Sequence, residues 1–357
     1  MRALIAVLGG DGIGPEVVAE AVRVLRATAE KFGHQFELQM ALFGGAAIEH
    51  HGDGLPAETL ALCQRADAVL LGAIGGPKWT GARVKVRPEP ALLRLRSELG
   101  VFANLRPVAV HPALRDASVI KADIVDGVDF VFVRELTGGI YFGEKRRDDS
   151  SATDVCTYSV AEIERITRVA GRIAARRQRR ITSIDKSNVL ETSRLWREVS
   201  TRIIENEFPE VVLEHMLVDA AAMHLIKRPR DFDVLLTENM FGDILTDEAA
   251  MLAGSLGVLP SASLGDVSRG IYEPIHGSAP DIAGRGLANP IGTILSAALL
   301  LRHSLALEHE ARAIEAAVHR AIAGGARTAD IASGGAPTIT TSQMGAEVLR
   351  ELASAAK

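Results

Sequence analysis

Residues 4–18 read LIAVLGGDGIGPEVV. Leu4–Leu8 form a short unbroken apolar run that ends in glycines, the pattern of a strand buried on both faces. Pro15 then stands where a helix starts, because its fixed φ suits the first turn and its missing N–H costs nothing there. Val17, Ala21, Val24 and Leu25 follow at helical spacing and make one apolar stripe. A strand, a glycine-rich turn and an amphipathic helix in that order open an α/β fold.

The turn invites comparison with the dinucleotide fingerprint, which places glycines at first, third and sixth positions. Gly10 and Gly12 satisfy the first two, but Pro15 occupies the sixth. Starting the frame at Gly9 puts Asp11 third. The fingerprint fails, so the fold is not read as Rossmann. A tight strand-to-helix turn and an anion- or ribose-binding helix N-terminus both remain open readings.

Ala68–Leu71, Phe130–Val133, Ile181–Ile184 and Val234–Leu236 read as further buried strands. Helical patterns at Ala57–Arg65, Ala161–Gln178, Thr192–Glu207 and Asp243–Leu256 alternate with them. This alternation predicts an α/β fold with a largely parallel sheet. Two glycine-rich loops, 72–90 and 261–290, are long enough to be functional. No Pro/Gly/Ser linker divides the chain, so a domain boundary crossed more than once is expected.

The 357 residues suffice for roughly two domains. A net charge of −5 offers no basic excess for phosphates, so no nucleic-acid partner is expected. RRQRR at 176–180 reads as a solvated helix end. Cys63 and Cys156 lack metal-type spacing and point to a reducing, cytoplasmic setting. The N-terminal apolar run is too short for a membrane span. SAALLLRHSLAL at 296–307 carries Arg302 and His303 and reads as a core helix, so no membrane partner is expected.

The chemistry-bearing residues cluster. Arg94, Arg96, Arg106 and Arg134 suit bidentate recognition of a dicarboxylate. Lys186 follows a strand, where a lysine can enter a cleft and serve as a base; taken alone, a surface lysine paired with Asp185 or Glu191 is the simpler account. Asp243 and Asp247 lie four apart in TENMFGDILTDEAA, 237–250, beside Phe241, Ile244 and Leu245. Like charges at that spacing repel. Together with Asp219 they suit Mg²⁺ or Mn²⁺, although the pair alone also fits an exposed acidic helix face.

Eight stretches then carry a resemblance that runs nearly end to end: GDGIGPEV 10–17, GAIGGPKW 72–79, FANLRP 102–107, VRELTGGIYFGE 133–144, DKSNVL 185–190, NMFGDILTDEAA 239–250, LPSASLG 259–265 and HGSAPDIAGRGLANP 276–290. The chain resembles the β-decarboxylating hydroxyacid dehydrogenases of the isocitrate/isopropylmalate family, and within it the isopropylmalate branch of leucine biosynthesis. The resemblance implies an open ten-stranded mixed sheet in two domains: residues 1–101 with 254–357 on the cofactor side, and 102–253 for substrate, metal and dimerisation. It implies a homodimer with shared active sites. Arg96, Arg106 and Arg134 correspond to the clamp on the malate carboxylates. Asp243 and Asp247 correspond to metal ligands, with Asp219 supplied by the partner. Tyr141 and Lys186 correspond to acid and base, Asn188 lies near substrate and nicotinamide, and Ile13, His276, Gly277, Ser278, Ala279, Pro280, Asp281 and Asn289 belong to the cofactor site.

The expected reaction is oxidation and decarboxylation of a 3-alkylmalate by NAD. Glu89, Leu92 and Leu93 fall on one side of the predicted substrate helix, and an apolar pair there suits a branched alkyl group. Asp281 would repel a 2′-phosphate, which favours NAD. Glu238 departs from a small or uncharged residue and reads as a solvent-facing variation. The alternatives are a dehydrogenase of tartrate or another 3-substituted malate, and a non-catalytic regulatory subunit. Retention of Lys186, Tyr141, the aspartates and the arginines argues against the last.

Overall fold

The structure, a computed structural model, describes residues 1–81 and 86–354. Residues 82–85 of the loop expected over 72–90 lie outside the described residues. The strands are β1 (Arg2–Gly10), β2 (Gln35–Ala41), β3 (Ala68–Ala73), β4 (Ala103–Ala109), β5 (Asp129–Glu135), β6 (Lys145–Arg147), β7 (Ala152–Asp154), β8 (Arg180–Asp185), β9 (Val212–Leu217), β10 (Val234–Thr237), β11 (Pro260–Leu264) and β12 (Gly270–Pro274).

The chain forms two compact units. The first comprises Met1–Val101, His111–Ala117 and Ala253–Lys357. In it β1 pairs in parallel with β2 and β3, β3 pairs in parallel with β12, and β12 pairs antiparallel with β11. Every residue of β3 is buried, as an uninterrupted apolar strand requires. Ala6, Leu8, Val69, Leu71, Leu95 and Ile271 meet in one core cluster.

The second unit comprises Phe102–Val110 and Ser118–Leu252. Here β5 pairs antiparallel with β4 and parallel with β10, followed by parallel β8 and β9. Phe130, Phe132, Leu235 and Leu245 sit in its core. Both units are thus mixed, mostly parallel α/β layers. The short β6–β7 ladder stands apart from these strands, with all six residues exposed.

Three readings need correction. The stretch 261–290 is not simply a loop, since it contains most of β11 and all of β12. Pro260–Leu264 reads PSASL, and Ser261 and Ser263 are buried. The strand alternates apolar and small polar residues, but it opens on a proline and holds no β-branched or aromatic side chain, so the usual strand composition is absent. The helix expected from Asp243 to Leu256 spans Asn239–Ala250 and gives way to tight turns. Arg177, within the basic run, is not merely solvated: it pairs with the buried Asp233 at 2.7 Å.

Candidate active site

The Asn239–Ala250 helix leaves β10 after Thr237 and turns Leu245 and Ala249 into the core. Asp243 and Asp247, four apart, share another face. Register explains which cations meet them. Arg134 of β5 lies opposite Thr237 of β10 and opposite Asn104 of β4, two residues before Arg106. Both arginines are buried and aim at the helix: Arg134 donates to Oδ1 of Asp243, and Arg106 lies 3.8 Å from Asp243 and 3.6 Å from Asp247. Partial burial works against the charge of Asp243, but Arg134 and then Arg106 outweigh it and hold the carboxyl below its usual range. The positive charge missing from the local sequence therefore comes from two neighbouring strands.

Tyr141 sits on a tight turn, Gly139–Tyr141, and donates its hydroxyl hydrogen to Oδ2 of Asp243 at 2.9 Å. Burial first, and then the Asp243 charge, push the phenol up to about 12, so it is held as a neutral proton donor. One carboxylate thus gathers an arginine and a phenol, an arrangement suited to anionic substrate binding and proton delivery.

Lys186 follows β8. Its ammonium donates to Oδ1 of Asp219 at 2.6 Å, not to Asp185 or Glu191. Asp185 is buried and held by Arg197 at 2.9 and 3.0 Å, while its Oδ1 also accepts from the Ser187 N–H. Asn188 is exposed. Within one chain the structure therefore gathers Arg106, Arg134, Tyr141, Asp243 and Asp247 in one group and pairs Lys186 with Asp219. Among the described residues no group of three His, Cys, Asp or Glu is arranged to hold a metal. Asp243 and Asp247 nonetheless supply two hard oxygen donors, with Asp243 favoured in its charged form, and this suits Mg²⁺ or Mn²⁺.

The first unit carries the other candidates. Arg96 is buried and donates to Oε1 of Glu273 at 2.8 Å, while its Nε has no partner among the described residues. Leu92 packs on the core cluster from a half-buried position; Leu93 is half-buried and Glu89 exposed. Arg94 pairs with Asp53 at 2.9 Å at the surface. The failed fingerprint also gains a reason. Asp11 accepts from the N–H groups of Gly45, Ala46 and Gly75, each at 2.8 Å, so its side chain ties the turn together. Gly12 has φ +58, and a Cβ there would fall 2.0 Å from the carbonyl oxygen of Ser278.

That close approach joins the two cofactor candidates. The Ile13 N–H donates to the Ser278 carbonyl at 2.9 Å, and Ile13 packs with Ala279, Ile282 and Ala288. Gly277, Pro280 and Asp281 are exposed. His276 donates from Nδ1 to the Gly277 carbonyl, 2.9 Å away, while its buried Nε2 has no partner among the described residues. Asn289 is buried, with Nδ2 donating to Asp330 at 3.0 Å and Oδ1 accepting from the Ile291 N–H. An unpartnered imidazole nitrogen beside exposed backbone at a helix N-terminus fits a nucleotide, which brings both donors and acceptors.

Glu238 is not solvent-facing. It is buried, and its side chain caps the Asp243 helix by accepting from the Phe241 N–H at 2.6 Å. Glutamate is an uncommon cap, which is why periodicity places the helix start late. Asn239 and Glu273 also escape the sequence reading. Asn239 accepts from Arg134 at 3.1 and 2.8 Å, and Glu273 receives Arg96. The motifs TENMFGD and YEPIHG contain both, but spacing alone does not reveal that they orient arginines.

Residues 4–348 match the family model for isocitrate/isopropylmalate dehydrogenase. A 3-isopropylmalate dehydrogenase from Anaeromyxobacter dehalogenans is 58% identical over 99% of this chain and 100% of its own. One from Bacillus subtilis is 56% identical over 93% of this chain and 92% of its own. Among solved structures, isocitrate dehydrogenase from Methylococcus capsulatus superposes with a TM-score of 0.86 at 34% identity, covering 98% of this chain and 99% of that one. A beta-decarboxylating dehydrogenase from Thermococcus kodakarensis in its apo form gives 0.80 at 36% identity, covering 98% and 96%.

Proposed function

The chain belongs to the isocitrate/isopropylmalate dehydrogenase family, and from that premise we propose that it oxidises and decarboxylates 3-isopropylmalate to 2-oxo-4-methylpentanoate in leucine biosynthesis, with NAD and with Mg²⁺ or Mn²⁺. The observation that carries the reading is the convergence of Arg106, Arg134 and Tyr141 on Asp243. A dicarboxylate substrate needs the arginines, and a decarboxylation that leaves a carbanion-like carbon needs the phenol.

Asp243 and Asp247 are assigned to the cation, with Asp219 of the partner subunit as a third oxygen donor. The residues at Ile13, 276–281 and 289 are assigned to NAD, with Asp281 toward the adenosine ribose. When bound, the cation lowers the cost of deprotonating the substrate hydroxyl and the nicotinamide accepts the hydride. Arg106 and Arg134 hold substrate carboxylates, and Arg96 is given the same role. Lys186 takes the hydroxyl proton, and Asn188 is placed beside substrate and nicotinamide. After CO₂ leaves, Tyr141 delivers its proton to the carbon that lost it. Glu89, Leu92 and Leu93 are assigned to the alkyl pocket.

The first unit is read as the cofactor side, and the second as the substrate and dimerisation side. A homodimer is inferred for it, and exposed apolar side chains on two helices of the second unit, Met223 at 63% and Ile244 at 61%, are in keeping with that. No described helix is long and apolar enough to cross a membrane, and a cytoplasmic setting without nucleic-acid or membrane partners suits a biosynthetic dehydrogenase. A panel of 3-isopropylmalate, isocitrate, tartrate and unsubstituted malate with NAD and Mg²⁺ tests the assignment. Isopropylmalate should give the highest kcat/KM, and a higher value for isocitrate or tartrate would overturn it.

A further inference from the structure

Behind the group on Asp243 lies a buried tyrosine with no part in the chemistry above. Tyr158 is 6% exposed. Its hydroxyl donates to Oε2 of Glu238 at 3.1 Å and accepts from the Asn239 N–H at 2.9 Å. Both partners stand at the start of the Asp243 helix. Glu238 caps that helix, and Asn239 orients Arg134 while donating to the Gly138 carbonyl at 3.2 Å.

The same ring meets the turn that carries Tyr141. A Cβ on Gly138 would fall 2.6 Å from Cε1 of Tyr158, and one on Gly139 would fall 2.5 Å from its oxygen. Gly139 has φ +73, and its N–H is fixed by the Thr157 carbonyl at 3.0 Å. Only backbone without side chains fits there. On its far side Tyr158 meets the edge of Trp196, with ring centroids 5.5 Å apart, and Trp196 is itself anchored to Ser183 at 3.1 Å.

We propose that Tyr158, held by Glu238, is a positioning residue that sets the Tyr141 turn against the start of the Asp243 helix, so that the phenol and the carboxylate meet. This rests on the reading of Tyr141 as proton donor. It assigns Glu238 a purpose that helix capping alone does not require, because asparagine, aspartate or serine would cap as well without reaching a tyrosine hydroxyl.

The test is a double-mutant cycle on the purified enzyme. Tyr158→Phe and Glu238→Gln are made alone and in a Tyr141→Phe background, and kcat, KM and melting temperature are measured for each. In the parent, Tyr158→Phe should lower kcat about tenfold and change KM for the hydroxyacid less than about threefold. In the Tyr141→Phe background the same change should lower the residual kcat less than about twofold, because there is no phenol left to position. Equal losses in both backgrounds, or no loss in the parent, would overturn the proposal. Glu238→Gln keeps an acceptor for the Phe241 N–H, so it carries the same comparison if Tyr158→Phe does not fold. If Tyr141→Phe alone keeps full kcat, the proton-donor reading is what fails, and that result appears without reference to Tyr158.

Discussion

The Tyr141 hydroxyl and the Arg134 guanidinium divide one carboxylate between them: Oδ2 of Asp243 accepts from the phenol at 2.9 Å, and Oδ1 accepts from the arginine. Asp243 is therefore both a charge that a cation can share and a fixed point for the proton donor. Removing only the phenolic oxygen separates the two roles. Tyr141→Phe should lower kcat at least ~100-fold, the range of a lost general acid, with KM changed only a few-fold. Steady-state kinetics at saturating NAD decide it, and an unchanged kcat would remove Tyr141 from the proton-delivery step.

Cation binding should show as stability. Asp243 and Asp247 repel each other; Arg134 and Arg106 hold Asp243 charged, whereas burial raises the Asp247 carboxyl despite Arg106 at 3.6 Å. At a Mg²⁺ or Mn²⁺ concentration about 100 times its Kd, mass action adds roughly 2.7 kcal/mol. For a chain of this size that raises the melting temperature by several degrees. Asp243→Asn should abolish the shift while the fold persists. A variant that still gains the full shift would place the cation elsewhere.

How much of this was legible in the chain divides along physical lines. The buried strands β3, β5 and β10 announce themselves as apolar runs, and the arginines and aspartates announce their charge. The serine-rich β11 does not, because Ser261, Ala262 and Ser263 are buried yet carry no β-branched or large apolar signal. Nor does the answer to the Asp243–Asp247 repulsion, since Arg106 and Arg134 lie more than a hundred residues away and arrive through strand register. Glu238 misleads for the opposite reason. Charge suggests solvent, whereas the Phe241 N–H and the Tyr158 hydroxyl both donate to its buried carboxylate.

The exposed Asp281 should govern the choice of nicotinamide. Its carboxylate would repel a 2′-phosphate, and Ile282 offers that group no donor. Asp281→Lys combined with Ile282→Tyr should lower the NAD-to-NADP ratio of kcat/KM by about 100-fold or more. An unmodified enzyme that prefers NADP would contradict the assignment directly.

A pH effect on stability is expected from His303, near the end of the Ile291–His303 helix. Burial, and then the Arg302 charge, press its pKa from 6.5 down to about 4. Above pH 6.5 the residue is neutral both folded and unfolded, and its contribution does not vary. Between pH 6.5 and 4 the unfolded chain takes up a proton that the folded chain refuses. Stability should therefore fall as pH drops through this window, by up to about 3 kcal/mol in total. His303→Asn should lose less on going from pH 7 to 4.5, measured by urea unfolding at each pH. Identical losses in parent and variant would rule out the histidine as the source.

The last prediction concerns how one active site is assembled. Lys186 is bound to Asp219 at 2.6 Å, while Asp243 is bound to Arg134 and Tyr141, and no described cluster unites the three aspartates. If the base and third oxygen donor come from the partner subunit, each site needs two chains. Two inactive variants, Asp243→Asn and Lys186→Ala, are mixed under conditions that exchange subunits. In a mixed dimer one site collects both defects. The other combines an intact Asp243 from one chain with an intact Lys186 from its partner. Activity should reappear, approaching about half the parental value per mixed dimer if the sites act independently. If both groups came from the same chain, every site in the mixture would keep one defect and no activity would return. Native mass spectrometry confirms that mixed dimers have formed. Mixed dimers without recovered turnover would show that each chain builds its own site.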